Sequence, residues 1–260
     1  MQIDFLQCHE GECLPLLPEG TAFPGMPFHR HKGRPISLLP VGTRIHRGDG
    51  AEALCSVTGH VWLEGQNASH ACHCPLLTAL ERIPGGGGLV DVTTSKTGWS
   101  LAWVTLSDKG FQGDREDLSG PIIGRMVGET ITLCHSRGFI IPDDPVRLRW
   151  LLTSLALEQG YDLVCTTGGT GVAPRDFTPQ VTASLLDMPL PGFSQAMMAA
   201  SLAKTPNAAI SRAVSGVLGR TLVINLPGSA KAVRENLEAV LPAIAHALDK
   251  LAGDPADCGG

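Results

Sequence analysis

An apolar run that ends directly in a glycine-rich turn constrains the fold more than any other feature of this chain. Residues 163–165 are apolar, and residues 166–171 read Thr-Thr-Gly-Gly-Thr-Gly. The pair Arg175-Asp176 and a predicted helix start near Pro179 follow. Turns of this kind bind anions, because glycine lets backbone N–H groups approach the ligand and the helix end adds partial positive charge. The segment therefore predicts a site for a phosphorylated small molecule, although an ordinary glycine-rich turn would have the same composition.

Strand and helix patterns alternate after residue 98. Strands are predicted at residues 99–106, 138–141, 161–166 and 220–225, and helices at 121–137, 145–159, 179–187, 193–204 and 230–251. Asp144 is the predicted N-cap of the second helix, with Pro145 at its first position. This alternation is typical of βαβ units, so we predict an α/β fold with helices on both faces of a parallel sheet. Ligands bind beyond the carboxyl ends of such strands. The loops predicted to converge there are 107–108, 142–144, 166–171 and 225–229.

The first third of the chain follows a different pattern. Short extended runs occur at residues 36–41, 53–57 and 60–63, among many turn residues. Four consecutive glycines at 85–88 favour a linker or a long hairpin tip over a regular element. We predict a small β-rich module of unknown function at residues 1–90, a linker at 91–98, a second domain at 99–253 and a disordered tail at 254–260.

Charge and hydropathy exclude two classes of protein. The net charge is −5 and the isoelectric point is about 6.0, whereas a general nucleic-acid surface needs an excess of Lys and Arg. No run of about 18 apolar residues occurs. Asp4 and Glu10 stand where a signal peptide would be basic and then apolar. We therefore expect a cytoplasmic protein that contacts neither nucleic acid nor membrane.

The cysteines do not follow a standard metal-site spacing. Cys8-x4-Cys13 and Cys72-x-Cys74 differ from zinc knuckles, although His9, His70 and His73 lie close to them in sequence. Reduced, metal-free thiols are the expected state, and a metal site in this region is the alternative. Cys134, Cys165 and Cys258 are isolated in the sequence, and a lone cysteine in an apolar strand is expected to behave as a small buried hydrophobic residue.

Two aspartates near the glycine-rich turn indicate a magnesium site. Asp143 ends a predicted strand, and Asp176 lies five residues beyond Gly171. Carboxylates would repel a bound phosphate unless a cation lay between them, and Mg²⁺ is the usual cation. The alternative for Asp143 is a helix cap. The alternatives for Asp176 are an ion pair with Arg175 or a cap of the helix predicted after Pro179. Lys109, Arg125 and Arg175 are candidates to offset phosphate charge, and residues 226–229 form a second anion-binding turn before a helix.

These motifs together resemble a known enzyme family. The turn at 166–171 with Pro-Arg-Asp-Phe-Thr-Pro at 174–179 resembles the signature of MogA-type molybdopterin adenylyltransferases, also found in the G domains of plant Cnx proteins and gephyrin. Similar segments occur in the same order at 106–108, 117–121, 141–143, 210–212 and 225–228. The resemblance covers residues 99–253. It implies a three-layer α/β/α fold with a mostly parallel sheet, and a homotrimer.

The resemblance also implies an activity and its residues. The activity is transfer of AMP from Mg-ATP to molybdopterin, which gives adenylyl-molybdopterin and pyrophosphate, and a MoeA-like metal-insertion protein is the implied partner. Asp143 and Asp176 match the two functional aspartates and would bind Mg²⁺. Substrate or nucleotide contacts are expected from a larger set: Ser107, Asp108, Thr167, Gly168, Gly169, Thr170, Gly171, Arg175, Ser211, Asn225, Pro227, Gly228 and Ser229. The alternative is a non-catalytic protein that carries molybdopterin to an insertion partner.

Two segments depart from the family pattern. Residues 187–193 are two residues longer than expected, and the first 95 or so residues have no counterpart in the minimal enzyme. This amino-terminal segment could bind a sulfur-containing pterin, contact the insertion protein or brace a trimer, and the sequence leaves these alternatives open.

Overall fold

The computed structural model describes residues 1–21, 23, 25–33, 39–48, 50, 52–64 and 71–254. It divides into two compact units, Met1–Thr97 and Gly98–Gly260. Part of the strand predicted at 36–41, the residues His70 and Cys258, and residues 255–260 of the predicted tail lie outside the described part. Within that part, no helix has the length and apolar character needed to cross a membrane.

The described residues of the first unit form a closed β-barrel of seven strands. The strands are β1 (Gln2–Asp4), β2 (Cys13–Pro18), β3 (His29–Lys32), β4 (Arg44–Arg47), β5 (Ala53–Glu64), β6 (Ala71–Ala79) and β7 (Leu89–Ser95). Their order around the barrel is β1-β3-β2-β6-β5-β4-β7, and β7 closes it by pairing with β1. Its core includes Ile3, Leu17, Ile45 and Leu77, which have no exposed surface.

Two features of the barrel differ from the sequence prediction. The runs predicted at 53–57 and 60–63 belong to one strand, β5, whose register shifts between Val57 and Gly59. Such a bulge interrupts the alternation that the prediction used. The linker predicted at 91–98 is largely strand β7, which pairs with both β1 and β4. Val92 is the one buried residue of this strand, and the residues after it, Thr-Thr-Ser, are polar and exposed. Because polar, exposed residues are also typical of linkers, the sequence alone suggested a linker.

The second unit is an α/β domain. Its elements in chain order are β8 (Trp99–Leu106), α1 (Asp108–Gln112), α2 (Gly120–Thr130), β9 (Leu133–Ile141), α3 (Pro145–Thr153), a π-helical turn (Ser154–Glu158), β10 (Leu163–Thr167), α4 (Thr178–Ala183), β11 (Met188–Pro189), α5 (Pro191–Leu202), a 3-10 helix (Pro206–Ile210), β12 (Ser215–Leu218), β13 (Thr221–Leu226) and α6 (Ala230–Ala252).

The sheet of this unit is mixed, in the order β11-β12-β13-β10-β8-β9. The four predicted strands form its parallel part, β13-β10-β8-β9. Strands β11 and β12 are antiparallel and were not predicted, because they are two and four residues long. The helix predicted at 121–137 ends at Thr130, and the residues after it form the edge strand β9.

Helices α2, α5 and α6 cover one face of the sheet. Leu101, Leu163 and Ile224 of the sheet pack there with Ile123 and Leu237 of the helices, and all five are fully buried. Burying each such side chain contributes about 1.5–3 kcal/mol. Helix α4 contacts β13, and α3 contacts α4. The predicted N-cap of α3 is confirmed, since the Asp144 carboxylate accepts hydrogen bonds from Val146 N and Arg147 N in the first turn of α3.

Candidate active site

A polar cleft of about 450 Å³ opens where the parallel strands end. Each of the four strands contributes the residues that follow it. Ser107 follows β8, Asp143 follows β9, Thr167 and Gly168 come at the end of β10, and Gly228 follows β13. The four loops therefore converge at one edge of the sheet, as the sequence predicts for carboxyl ends of parallel strands.

Two positions of the turn after β10 require glycine. Gly168 and Gly169 have φ angles of 102° and 64°, in the left-handed region. A Cβ on Gly168 would lie 2.7 Å from the Leu106 carbonyl oxygen, and one on Gly169 would lie 2.4 Å from Thr178 Oγ1. The Thr178 hydroxyl also donates to the Gly168 carbonyl at 2.9 Å. The backbone of this turn is thus held close to its neighbours, and Gly168 and Gly169 line the cleft.

The turn after β13 is tied to the turn after β10. The Thr167 hydroxyl donates to the Pro227 carbonyl at 2.7 Å, and a Cβ on Gly228 would lie 3.4 Å from the Gly168 Cα. The Gly168 N–H also donates across the two turns, to the Leu226 carbonyl at 3.3 Å, so this N–H and the Thr167 hydroxyl proton are both engaged within the protein. Helix α6 starts here, with the Ser229 hydroxyl accepting from Ala232 N at 3.1 Å. The amino end of this long helix adds partial positive charge at the cleft.

The carboxylate of Asp143 lies near those of Asp108 and Asp176. The Asp108 carboxylate accepts a hydrogen bond from Asp143 N at 2.9 Å, and the Asp176 carboxylate accepts one from Ala173 N at 2.8 Å. Burial raises the pKa of Asp143 above its ordinary value, and the negative charges of Asp108 and Asp176 raise it further, while Arg175 opposes the shift. Ionised Asp143 is therefore destabilised, and a cation in the cleft would relieve that cost.

The position of the Asp176 carboxylate depends on a third glycine. A Cβ on Gly171 would lie 2.7 Å from Asp176 Oδ2. The φ angle of Gly171 is not in the left-handed region, so the backbone itself would accept another residue. Only the close approach of the carboxylate requires glycine here.

The segment before α2 lines the cleft and was assigned no role from the sequence. Asp117 accepts hydrogen bonds from Ser119 N and Gly120 N, both at 3.0 Å, and from the Thr105 hydroxyl at 2.7 Å. The Ser119 hydroxyl donates to the Gly228 carbonyl at 2.8 Å. This segment therefore ties β8, α2 and the turn after β13 together. Its sequence signal is an aspartate just before a helix with proline in its first turn, but nothing in the sequence marks the neighbouring Arg115 and Glu116, which also line the cleft.

A second, mostly apolar cavity of about 770 Å³ adjoins the same loops. Thr170, Gly171, Ser211 and Pro227, which the sequence assigned to the substrate site, line this cavity and not the polar cleft. The rest of its wall comes largely from α5, the 3-10 helix and α6. Apart from Asp108 and Asn225, which line neither cavity, the predicted residues thus fall into two adjacent cavities that share the turns after β10 and β13.

Asn225 lies in the sheet and lines neither cavity. It is fully buried, and its amide donates to the hydroxyls of Thr166 and Thr182 at 2.8 and 3.0 Å. Its contacts join β13 to β10 and α4, so its role in this structure is to support the turns that follow both strands.

The donor atoms at the cleft fit a hard divalent cation. Asp143 and Asp176 both line it and offer the carboxylate oxygens that Mg²⁺ prefers. Among the described residues, no group of three or more His, Cys, Asp or Glu side chains could hold a metal ion. An ion at Asp143 and Asp176 would therefore need further ligands from water or a bound phosphate, which is how Mg²⁺ commonly binds.

Comparison with known proteins identifies the family of the second unit. The family described as a probable molybdopterin binding domain matches residues 102–246. The chain belongs to this family. The predicted resemblance is thereby confirmed, and the match lies within the α/β unit.

Relatives of the family show how much of the chain is shared. The chain is 40% identical over 154 residues to the molybdopterin adenylyltransferase of Helicobacter pylori, covering 58% of this chain and 86% of that protein. It is 37% identical over 151 residues to the molybdenum cofactor synthesis protein cinnamon of Drosophila melanogaster, covering 58% of this chain but only 25% of cinnamon. The structure of the molybdopterin biosynthesis enzyme MoaB from Thermus thermophilus matches with 44% identity and a TM-score of 0.55, covering 61% of this chain and 99% of that one.

Proposed function

We propose that the α/β unit transfers the adenylyl group of ATP to molybdopterin, releasing pyrophosphate, in molybdenum cofactor biosynthesis. The observation that carries the proposal is the polar cleft, where a glycine turn, a helix amino end and two aspartates face one another. The relatives named as molybdopterin adenylyltransferases support it, because the family match covers the same residues.

In this proposal the phosphates of ATP lie against the turn after β10. The backbone N–H of Gly169 would provide a donor, and the amino end of α6 at Ser229 would provide positive potential. Arg115 and Arg175 line the cleft and offset phosphate charge. Ser107, the N-cap of α1, lines the cleft and faces the nucleotide. Asp108, the first residue of α1, lies outside the cleft lining and would act by orienting the Asp143 backbone.

Asp143 and Asp176 would hold Mg²⁺, which neutralises charge on the phosphates when it is bound. Their carboxylates enter from different loops, one after β9 and one after the glycine turn. The raised pKa of Asp143 agrees with this role, because burial and the other carboxylates disfavour its ionised form until a cation is present.

The proposed chemistry needs positioning more than proton transfer. A terminal phosphate oxygen of molybdopterin attacks the α-phosphorus of ATP, a new P–O bond forms, and the bond from the α-phosphorus to the bridging oxygen breaks to release pyrophosphate. The attacking oxygen is already anionic, so no strong general base is required. This agrees with the cleft, whose lining among the described residues contains acids, hydroxyls, arginines and glycines but no histidine.

The apolar cavity would take the organic part of molybdopterin. It adjoins the cleft through Gly171 and Pro227, so a ligand there could present its phosphate to the nucleotide. Ser211 and Thr170 lie in its wall and can hydrogen-bond a heterocycle. The three-layer arrangement, a homotrimer and a MoeA-like insertion partner belong to the same proposal, on the strength of the resemblance alone.

Exchange of Asp176 for asparagine tests the proposal directly. Asp176→Asn keeps the shape of the side chain but removes the charge, so we expect adenylyl transfer to fall at least about a hundredfold, as for loss of a well-placed electrostatic group. The matched control is Asp249→Asn, an exposed aspartate on α6 that lines neither cavity. Wild-type turnover in Asp176→Asn would contradict the proposed metal site.

A further inference from the structure

Arg212 lies about 40 residues after the glycine turn in the sequence, yet it hydrogen-bonds to that turn and to the loop that follows it. It follows the 3-10 helix, outside every segment that lines the polar cleft. Its Nε donates to the Gly171 carbonyl at 2.7 Å, and its Nη2 donates to the Asp176 carbonyl. Its backbone N donates to the Thr170 carbonyl at 3.0 Å. One residue therefore binds three carbonyls of the segment that carries Asp176.

We propose that Arg212 is a positioning residue that sets the Asp176 carboxylate in the cleft by fixing both ends of the segment 171–176. The consequence for catalysis rests on the proposed function, but the structural role does not. Inside the segment, Ala173 N donates to the Asp176 carboxylate and Asp176 N donates to the Ala173 carbonyl, both at 2.8 Å. Because the guanidinium holds the ends, this inner turn keeps the carboxylate against Gly171.

The chemistry of the side chain explains why it is arginine. A guanidinium is planar and always charged, and its N–H groups diverge so that two acceptors can be bound at once. An ammonium has a single nitrogen and cannot span the Gly171 and Asp176 carbonyls in the same way. The neighbours of Arg212 in sequence, Ser211 and Ala213, line the apolar cavity. Arg212 therefore connects the wall of that cavity to the loop that carries the proposed metal ligand.

The first test is hydrogen exchange, which needs no substrate. In Arg212→Met the amides of peptides covering 170–177 should exchange about ten- to hundredfold faster than in the wild type, because two charge-assisted hydrogen bonds are lost. The matched control is Arg220→Met, which removes a guanidinium bond to the Leu251 carbonyl at the far end of α6. Unchanged exchange at 170–177 in Arg212→Met would overturn the proposal, whatever the activity of the protein.

The second test is kinetic and uses adenylyl transfer by the full chain. Arg212→Met should lower kcat/KM about ten- to hundredfold, and Arg212→Lys should recover part of the loss because it retains one bond. Combined with Gly171→Ala, which displaces the same carboxylate, the loss should be far smaller than the product of the two single effects. Multiplicative losses would show that Arg212 acts independently of Asp176.

The outcomes separate this inference from the proposed function. An inactive wild type would refute adenylyl transfer, and hydrogen exchange would still decide the role of Arg212. An active wild type with an equally active, normally exchanging Arg212→Met would refute the positioning role alone. If Arg212→Met does not fold, Arg212→Lys carries both measurements.

Discussion

Replacing Gly171 by alanine tests the geometry of the site with a single methyl group. The added Cβ would lie 2.7 Å from Asp176 Oδ2, and ordinary contact begins at 3.4 Å, so the carboxylate must move by about 0.7 Å. The backbone at this position is outside the left-handed region, so the substitution introduces no strain of its own. The perturbation therefore acts on Asp176.

The expected size of the effect follows from that displacement. A buried hydrogen bond to a charged acceptor contributes about 1.5–3 kcal/mol to the free energy of unfolding. The bond from Ala173 N to the half-exposed Asp176 carboxylate should contribute less, so its loss should lower the free energy of unfolding by about 1 kcal/mol. For a chain of this size that lowers Tm by about 2–4 °C. Because misplacing a reacting group by about 1 Å can cost a hundredfold in rate, we expect kcat/KM to fall at least about tenfold.

The assay is pyrophosphate release in the presence of Mg-ATP and molybdopterin, with thermal unfolding measured on the same samples. The control is Gly192→Ala in α5, where a Cβ meets no atom within 4 Å. Alanine there should leave activity unchanged and should not lower Tm. If Gly171→Ala retains wild-type kcat/KM, the position of the Asp176 carboxylate does not govern the reaction, and the reasoning is refuted.

Three further predictions concern stability. Asp143→Asn should abolish transfer without lowering Tm, because burial and Asp108 already disfavour the charged form; a large fall in Tm would contradict this. In the barrel, burial lowers the pKa of His29 from 6.5 to about 4, so the unfolded chain binds a proton that the folded barrel does not. Stability should therefore be lost as pH falls from 6.5 toward 4, by on the order of 3 kcal/mol for this group. Thermal scans at several pH values should show this dependence, and His29→Asn, which can still accept from Leu6 N, should flatten it. Finally, a fragment of residues 98–260, which is one compact unit, should fold and retain pterin-dependent transfer; aggregation of the fragment would show that the units share a core.

The parts of the fold that the sequence predicted are those with strong local signals. Strand β8 and helix α6 were placed within one residue of their observed ends, because a buried apolar run and a long amphipathic pattern are both local. The loops that follow the four parallel strands were brought together by topology alone. Strands β11 and β12 were not predicted, because segments of two and four residues are too short to show a periodic pattern. These two strands make the sheet mixed.

The parts of the site that sequence reasoning missed depend on contacts between distant residues. Ser119 meets the Gly228 carbonyl 109 residues away, and Arg212 meets the Asp176 carbonyl 36 residues away. All four residues lie in segments that resemble the family, but no single segment contains both members of a pair, so the sequence does not show that they meet. Asn225 shows the converse case, since a motif residue is used inside the sheet to join Thr166 and Thr182.

The most direct test of the account is pyrophosphate release from Mg-ATP with and without molybdopterin, followed by mass detection of the pterin product. We predict release that depends on the pterin, an adenylylated product, and loss of both in Asp176→Asn. Tight binding of molybdopterin with no pyrophosphate and no adenylylated product would contradict the account and would indicate a carrier of the pterin in place of an enzyme.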